Sequence, residues 1–245
     1  MEINTILAIL IFFLSIFQSI FGIGLLALGT PILLIIGFSF IEALFFLLPC
    51  SIIVSSLTFF LIDRKHFDKN VVNFFLFYSL PGIIIGLIII LFYELHINFK
   101  ILIGTIIIVS IFLKRIINKE INFSIKVKKI INFTIGFIHG ISNMGGSFLS
   151  IYLMTLYKEK IKIRYHLTFA YIFFAITQLI FLSITYSELI NFYSIRFFLV
   201  LSVIGAILGN FCEKFFNNNF YIKILNSCIL ITAIILIFNS FKEIL

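Results

Sequence analysis

Residues 140–150 read GISNMGGSFLS, and they interrupt a chain that is otherwise rich in Ile, Leu and Phe. The stretch holds three glycines, three serines and one asparagine between segments apolar enough to span a membrane. In hydrocarbon, backbone that is not helical persists only where protein or a water-filled cavity satisfies its N–H and C=O groups. The stretch therefore predicts the broken tip of a helical hairpin that meets a solute near the middle of a bilayer.

The composition of the 245 residues is that of a membrane protein. Hydrophobic residues make up 62% of the chain and charged residues only 11%, whereas about a quarter of a soluble domain is charged. A spanning helix needs about 20 apolar residues, and such runs fill nearly the whole chain. The predicted segments are 3–37, 42–62, 71–93, 99–113, 129–157, 166–186, 197–212 and 220–241. We therefore predict an all-α polytopic membrane protein without a soluble domain.

The net charge of +8 does not indicate a nucleic-acid partner. A nucleic-acid face needs basic residues clustered on a folded surface, whereas here they lie in short loops between predicted spans, as the positive-inside rule explains. The three cysteines, Cys50, Cys212 and Cys228, lie within predicted spans at no ligand or disulfide spacing. We expect no metal and no cofactor.

The sequence matches itself at a shift of 123 residues. The superposed pairs are Ser19 and Ser142, Gly22 and Gly145, Gly82 and Gly205, Gly86 and Gly209, and Lys100 and Lys223. Two matched stretches, PGIIIG (81–86) and IGAILG (204–209), are GxxxG patterns, whose small residues let helix backbones approach closely. We predict two copies of one unit, residues 1–122 and 123–245.

The basic residues predict how the two copies are oriented. If segment 129–157 crossed the membrane once, the 18 Lys and Arg residues would divide 11 to 7 between the faces. If it enters and returns as a hairpin, 15 lie inside and 3 outside, which the positive-inside rule favours. The same shape applied to segment 3–37 makes the copies inverted. Each unit is then a broken, re-entrant hairpin followed by three spans, which is a recurring plan of secondary transporters.

Glycines in the middle of two apolar segments mark where each hairpin helix breaks, in IFGIGLLALGTP (20–31) and SNMGGSF (142–148). The half-helix after each break, starting near Leu25 or Ser147, is expected to present free N–H groups and the positive end of its dipole, which favours an anion. The candidate binding residues are Gln18, Ser19, Gly22, Gly24 and Thr30 in the first copy, and His139, Ser142, Asn143, Gly145, Gly146 and Ser147 in the second. Amides and hydroxyls can bind an oxyanion without burying a full charge. The alternative is that they only bond neighbouring helices.

Three further polar residues have two interpretations each. His139 is the one histidine predicted deep in a span, and it either carries a coupled proton or serves as a structural hydrogen-bond partner. Gln178, in the sixth predicted segment, likewise either takes part in the site or serves as a structural hydrogen-bond partner. Arg164 is explained by its place in a basic loop, with its side chain snorkelling toward the membrane surface, and a gating role is the minority interpretation.

The two glycine-rich stretches resemble the sulfite exporter TauE/SafE family of membrane permeases. The likeness rests on FQSIFGIGLLALGTPILLIIG (17–37), with its Gln18, Gly22, Gly24 and Pro31, and on GFIHGISNMGGSFLSIYL (136–153) followed by Lys160 and Arg164. It covers essentially the whole chain. The resemblance implies a multi-spanning inner-membrane carrier for small anions such as sulfite or organosulfonates. The sequence departs from the family pattern in two places: relatives often have glycine where this chain has Ser19, and the second copy has no proline that matches Pro31. Both departures bear on the substrate more than on the fold.

These observations predict a secondary carrier that moves a small anion across the cell membrane by alternating access, with protons as a candidate coupling ion. An enzyme is not expected, because the spans contain no paired carboxylates, no HExxH, no GxSxG and no Cys/His cluster at ligand spacing. A channel and a scaffold without transport activity are the alternatives. The sequence leaves open the substrate, the direction of transport and the oligomeric state.

Overall fold

The computed structural model describes residues 2–93, 98–116, 123–186, 192–221, 223–224 and 227. These residues form helices joined by short turns, with no strand among them. Four of the described helices are long and apolar enough to cross a membrane: Phe40–Leu61, Lys69–Phe92, Lys160–Thr185 and Ile195–Phe215. The prediction of an all-α polytopic membrane protein is confirmed.

The first predicted hairpin segment is two helices with a break between them. Helix α1 spans Glu2–Phe21, a π-helical turn spans Leu25–Gly29, and α2 spans Thr30–Ile36. Helix α1 ends where Gly22 adopts a φ of +79°, a conformation that side chains with a Cβ rarely take. Pro31 lies where the π-helical turn passes into α2, inside the continuous helical run Leu25–Ile36, and has no N–H to donate there.

Four helices follow in the first half of the chain. They are α3 (Phe40–Leu61), α4 (Lys69–Phe74), α5 (Leu80–Tyr93) and α6 (Phe99–Ile116). A π-helical turn, Phe75–Ser79, joins α4 to α5, so the two form one long apolar helix. Helix α3 starts at a capping box, in which Glu42 N donates to Ser39 Oγ at 3.3 Å and Ser39 N to Glu42 Oε2 at 2.9 Å.

Four helices lie in the described part of the second half. Its helices are α7 (Ile125–Ser142), α8 (Gly145–Leu156), α9 (Lys160–Thr185) and α10 (Phe192–Cys212). The break between α7 and α8 contains Asn143, whose φ of +63° is left-handed. The predicted span 220–241 lies largely outside the described residues. That the halves are copies of one unit, inverted across the bilayer, stays a prediction.

The two GxxxG stretches lie at close contacts between the halves. Helix α5 packs against α7, and a Cβ on Gly86 would lie 2.7 Å from Phe137 O. Helix α10 packs against α1, and a Cβ on Gly209 would lie 2.5 Å from Ile16 O. Small residues thus let the backbones touch. Residues 22–24 and 143–144 are all buried, so both breaks lie in the interior of the helix bundle.

Candidate functional site

The first break is closed by the side chain of Gln18, which is fully buried. Its Oε1 accepts a hydrogen bond from Leu25 N at 2.9 Å, and its Nε2 donates to Ser51 Oγ and Ser55 Oγ, each at 2.9 Å. The N–H expected to be free at Leu25 is therefore paired. The sequence could not show this, because the acceptor belongs to a side chain on the other side of the break.

Ser19 also serves the packing of the first break. Its Oγ donates to Ala206 O at 2.8 Å and lies 3.1 Å from Thr58 Oγ1. These two bonds connect α1 to α10 and to α3. Gly24 packs directly on the preceding helix, since a Cβ there would lie 2.7 Å from Gln18 N. The polar side chains predicted around the first break thus have protein partners.

Arg164 joins α9 to the first break, and the expectation that it snorkels to the surface is wrong. The residue is only 3% exposed. Its Nε donates to Ser19 O at 2.7 Å, and its Nη2 donates to Asn210 Oδ1 at 2.5 Å. Because Ser19 lies in the last turn of α1, the guanidinium sits at the negative end of that helix dipole.

A carboxylate balances the charge of Arg164. Glu213 Oε2 lies 3.6 Å from Arg164 Nη1, and Glu213 Oε1 lies 2.7 Å from Lys160 Nζ. All three side chains are largely buried. The first break is therefore held by two cations, Lys160 and Arg164, that share one carboxylate, Glu213, at the ends of α9 and α10.

One hydrogen bond connects the two breaks. Asn143 Nδ2 donates to Thr30 Oγ1 at 2.7 Å, although the two residues are 113 positions apart. Within the second break, Asn143 N donates to His139 O at 2.8 Å and Met144 N donates to Ser142 Oγ at 3.2 Å. The structure thus brings together Thr30 and Asn143, which were predicted from separate tips.

Buried polar atoms without a hydrogen-bond partner gather near the second break. Among the described residues they include Nδ1 and Nε2 of His139, Oδ1 of Asn143, the hydroxyl of Tyr171 and Oε1 of Gln178. Gln178 Nε2 donates to His139 O at 3.3 Å, and the rings of His139 and Tyr171 lie 6.0 Å apart between centroids. A buried polar group left unpaired costs about 1–3 kcal/mol. Such a cluster is typical of a place where a ligand or water supplies the missing partners.

The start of α8 lies against this cluster. Helix α8 begins at Gly145 without a side-chain cap, so the N–H groups of Gly145 and Gly146 have no acceptor within the helix, whereas Ser147 N donates to Met144 O. A Cβ on Gly146 would collide with the hydroxyl of Tyr171, and one on Gly145 with Cβ of His139. The side chains of Tyr171 and His139 therefore lie at a helix N-terminus, which favours negative charge.

The serines near the second break are paired with backbone. Ser142 Oγ donates to Ile138 O at 2.6 Å, and Ser150 Oγ donates to Ser147 O at 2.7 Å. Ser147 itself is buried in the first turn of α8, where its N donates to Met144 O at 3.0 Å. These side chains shape the turn, and the unpaired atoms come from His139 and from residues around it.

Tyr171 was not predicted as part of the site. Its aromatic ring fits an apolar span, so its hydroxyl gave no separate signal in the sequence. The available signal was spacing: Arg164, Tyr171 and Gln178 are seven residues apart in α9, which places them along one face of that helix. This polar face runs from the first break to the second.

A polytopic helical bundle with a broken helix and buried unpaired polar atoms has the architecture of a membrane transporter. The profile of the Sulfite exporter TauE/SafE family matches residues 7–236. The chain therefore belongs to this family, and it is a multi-pass membrane permease. No curated protein and no solved structure matches the chain.

Proposed function

We propose that the protein is a secondary carrier of a small anion, sulfite or another small organosulfur anion, which it moves across the cell membrane by alternating access. The binding site in this proposal is the second break. The observation that carries it is the set of unpaired, fully buried polar atoms on His139, Tyr171 and Gln178. Tyr171 and His139 lie against the first turn of α8, and Gln178 bonds to His139 O.

The chemistry of these groups suits an oxyanion. The Tyr171 hydroxyl, one N–H of a neutral His139 ring and the first-turn N–H groups of α8 can donate hydrogen bonds. The dipole of α8 adds about half a positive charge at the same place. Arg164, by contrast, is engaged at the first break with Ser19 O and Asn210. A site of neutral donors binds an anion without holding it so tightly that release becomes slow.

Alternating access in this proposal is a movement of the second break relative to the first. The first break is fixed by Gln18, Ser19 and Arg164 to α3, α10 and α9. The Asn143–Thr30 hydrogen bond is a side-chain link between the breaks, and it would re-form in each cycle. His139 is the candidate for carrying a coupled proton, because a histidine can change its charge near neutral pH.

Uptake of radiolabelled sulfite into liposomes that contain the purified protein tests this proposal. We expect saturable uptake that is stimulated by sulfite on the opposite side, as a carrier requires. The Gly146→Val variant should lose this uptake because the new side chain occupies the space of the Tyr171 hydroxyl. Ile180→Val on the exposed side of α9 is the control variant.

Each outcome of the uptake measurement is informative. Saturable sulfite uptake that Ile180→Val keeps and Gly146→Val loses supports a carrier with its site at the second break. A response to an imposed pH gradient supports proton coupling. Uptake that does not saturate and ignores sulfite on the opposite side contradicts a carrier. If sulfite fails but sulfonates are taken up, sulfite is removed from the proposal.

A further inference from the structure

The unpaired atoms at the second break include acceptors as well as donors. The hydroxyl of Tyr171 and one N–H of a neutral His139 ring can donate hydrogen bonds. Gln178 Oε1, Asn143 Oδ1 and the second nitrogen of His139 can only accept them. An anion without a hydrogen on any polar atom offers acceptors alone. Such an anion would satisfy the donors and leave the acceptors unpaired.

The orientation of the Gln178 amide is set by its neighbour. His139 O is a carbonyl oxygen, which can only accept, and it lies 3.3 Å from Gln178 Nε2. Rotating the amide by half a turn would place its oxygen against the carbonyl oxygen and lose this bond. Gln178 Oε1 is therefore the atom that remains, fully buried and without a donor among the described residues.

A ligand that supplies a donor to Gln178 Oε1 binds better than one that cannot. Burying an acceptor against a ligand atom without a hydrogen costs on the order of a factor of ten or more in affinity. A site built to pair with a ligand hydroxyl rejects the analogue that lacks it far more strongly than an apolar pocket does. The unpaired acceptors thus favour a substrate that carries a proton on one of its polar atoms.

We infer that the site takes a monoanion that carries its own hydrogen-bond donor, and that Gln178 is the residue that selects it. This inference rests on the proposed function, and it gives the substrate class more narrowly. For sulfite, the selected form is hydrogensulfite in its hydroxyl form rather than the dianion. The O–H donates to Gln178 Oε1, and the remaining oxygens accept from Tyr171 and from the first turn of α8.

Two sulfonates of equal charge and similar size test the inference. The probes are 2-hydroxyethanesulfonate and 1-propanesulfonate, which differ by a hydroxyl in place of a methyl group. Their uptake is measured in the same liposomes as that of sulfite, at one pH. We expect at least about tenfold higher kcat/KM for the hydroxylated probe. In Gln178→Met, which keeps the length of the side chain, the ratio of the two values should fall toward one.

The ratio is taken within each protein preparation, so the amount of folded protein cancels. Equal uptake of both sulfonates by the unchanged protein overturns the inference and leaves the carrier standing. A preference that persists in Gln178→Met overturns the assignment to this residue. If neither sulfite nor a sulfonate is taken up, the proposed function fails, and the inference fails with it.

The pH dependence of sulfite uptake is a second test. At constant total sulfite, uptake should fall about tenfold for each pH unit once hydrogensulfite has become the minor form, by mass action. Uptake of 1-propanesulfonate, whose charge does not change in this range, is the control for effects of pH on the protein. A sulfite profile that is parallel to the control profile contradicts selection of the protonated form.

Discussion

At the first break the amide of Gln18 uses both of its ends, whereas at the second break the amide of Gln178 uses only one. Gln18 Oε1 accepts from Leu25 N and its Nε2 donates to two serines. Gln178 Nε2 donates to His139 O, and its Oε1 has no partner among the described residues. Glycines interrupt a helix in both places. The side chains that surround an interruption decide whether it is part of the packed structure or a binding site.

The two breaks also differ in charge. The first has Arg164 at the negative end of α1, balanced by Glu213. The second has the positive end of α8 and neutral side chains around it. A fixed charge pair suits a part of the molecule that holds its shape, while neutral groups suit a part that binds and releases an anion. The predictions below test this division of roles.

The largest expected effect is on stability, from Arg164→Met. Glu213 keeps its ion pair with Lys160, but Ser19 O and Asn210 Oδ1 lose the charged group that donates to them. Leaving a buried acceptor unpaired costs about 1–3 kcal/mol, so we expect the free energy of unfolding to fall by about 2–6 kcal/mol in a denaturant titration in mild detergent. The double variant Arg164→Met with Glu213→Gln should lose more, because Lys160 is then left without its carboxylate.

Lys162→Met is the matched control for Arg164→Met. Lys162 Nζ lies 2.8 Å from Glu159 Oε1, but both side chains are substantially exposed, and exposed ion pairs contribute little to stability. The free energy of unfolding should therefore fall far less in Lys162→Met than in Arg164→Met. Equal losses for the two variants would mean that the Arg164 pair does not hold the first break.

Gly146→Ala should have the next largest effect, on transport. The added Cβ meets the hydroxyl and ring of Tyr171, so this side chain must move away from the start of α8. We expect sulfite uptake to fall at least about tenfold, the loss that follows when one well-placed hydrogen bond to the anion is broken. Uptake into liposomes at matched protein content measures it.

Gly29→Ala is the corresponding change near the first break. There the added Cβ meets methyl groups of Leu47 and Leu14, the nearest at 2.9 Å, which are the ends of flexible side chains. Uptake should fall much less than in Gly146→Ala. If Gly29→Ala abolishes uptake while Gly146→Ala preserves it, the roles given to the two breaks are reversed.

A third prediction compares the two glutamines directly. Gln18→Met removes the acceptor for Leu25 N and should lower the free energy of unfolding by about 1–3 kcal/mol. Gln178→Met should lower it less, because it removes the bond from Nε2 to His139 O, whereas Gln18→Met removes the bonds to Leu25, Ser51 and Ser55. The same denaturant titration measures both. A larger loss for Gln178→Met would mean that its amide serves the packing of α9 more than the ligand.

The positions of the breaks could be predicted from sequence because their causes are local. Gly22 takes a left-handed conformation within three residues of the next helix, and Asn143 does the same in the second break. The apolar composition also predicts a helical membrane protein, since few other structures satisfy the backbone hydrogen bonds in hydrocarbon. Local signals of this kind need no knowledge of what packs against them.

The roles of Gln18, Arg164 and Tyr171 could not be predicted, because they depend on contacts between distant parts of the chain. Arg164 bonds to Ser19 across 145 positions, and a basic residue near a loop is equally expected at the surface. Gln18 looked like a binding residue because nothing in the sequence shows which amide atoms will find partners. Pairing of polar atoms is a property of the packed bundle.

The last prediction tests the predicted hairpin, and it expects no difference between two positions in the membrane face from which they are labelled. Single cysteines replace Lys126, in the first turn of α7, and Lys158, after α8, in a background in which the three native cysteines are serines. A re-entrant hairpin places both positions on one side, so a membrane-impermeant thiol reagent should label both from the same face. The basic residues around both positions favour the cytoplasmic face.

Labelling from opposite faces would change the comparison between the breaks. Helices α7 and α8 would then form one interrupted crossing, and the inverted relation between the halves would be lost. The unpaired atoms of His139 and Gln178 would remain buried near the interruption. Their depth in the bilayer would follow from one crossing helix rather than from a tip. Labelling from the same face places the start of α8 at the turning point of the hairpin, where its dipole points toward a solute that enters from the opposite side.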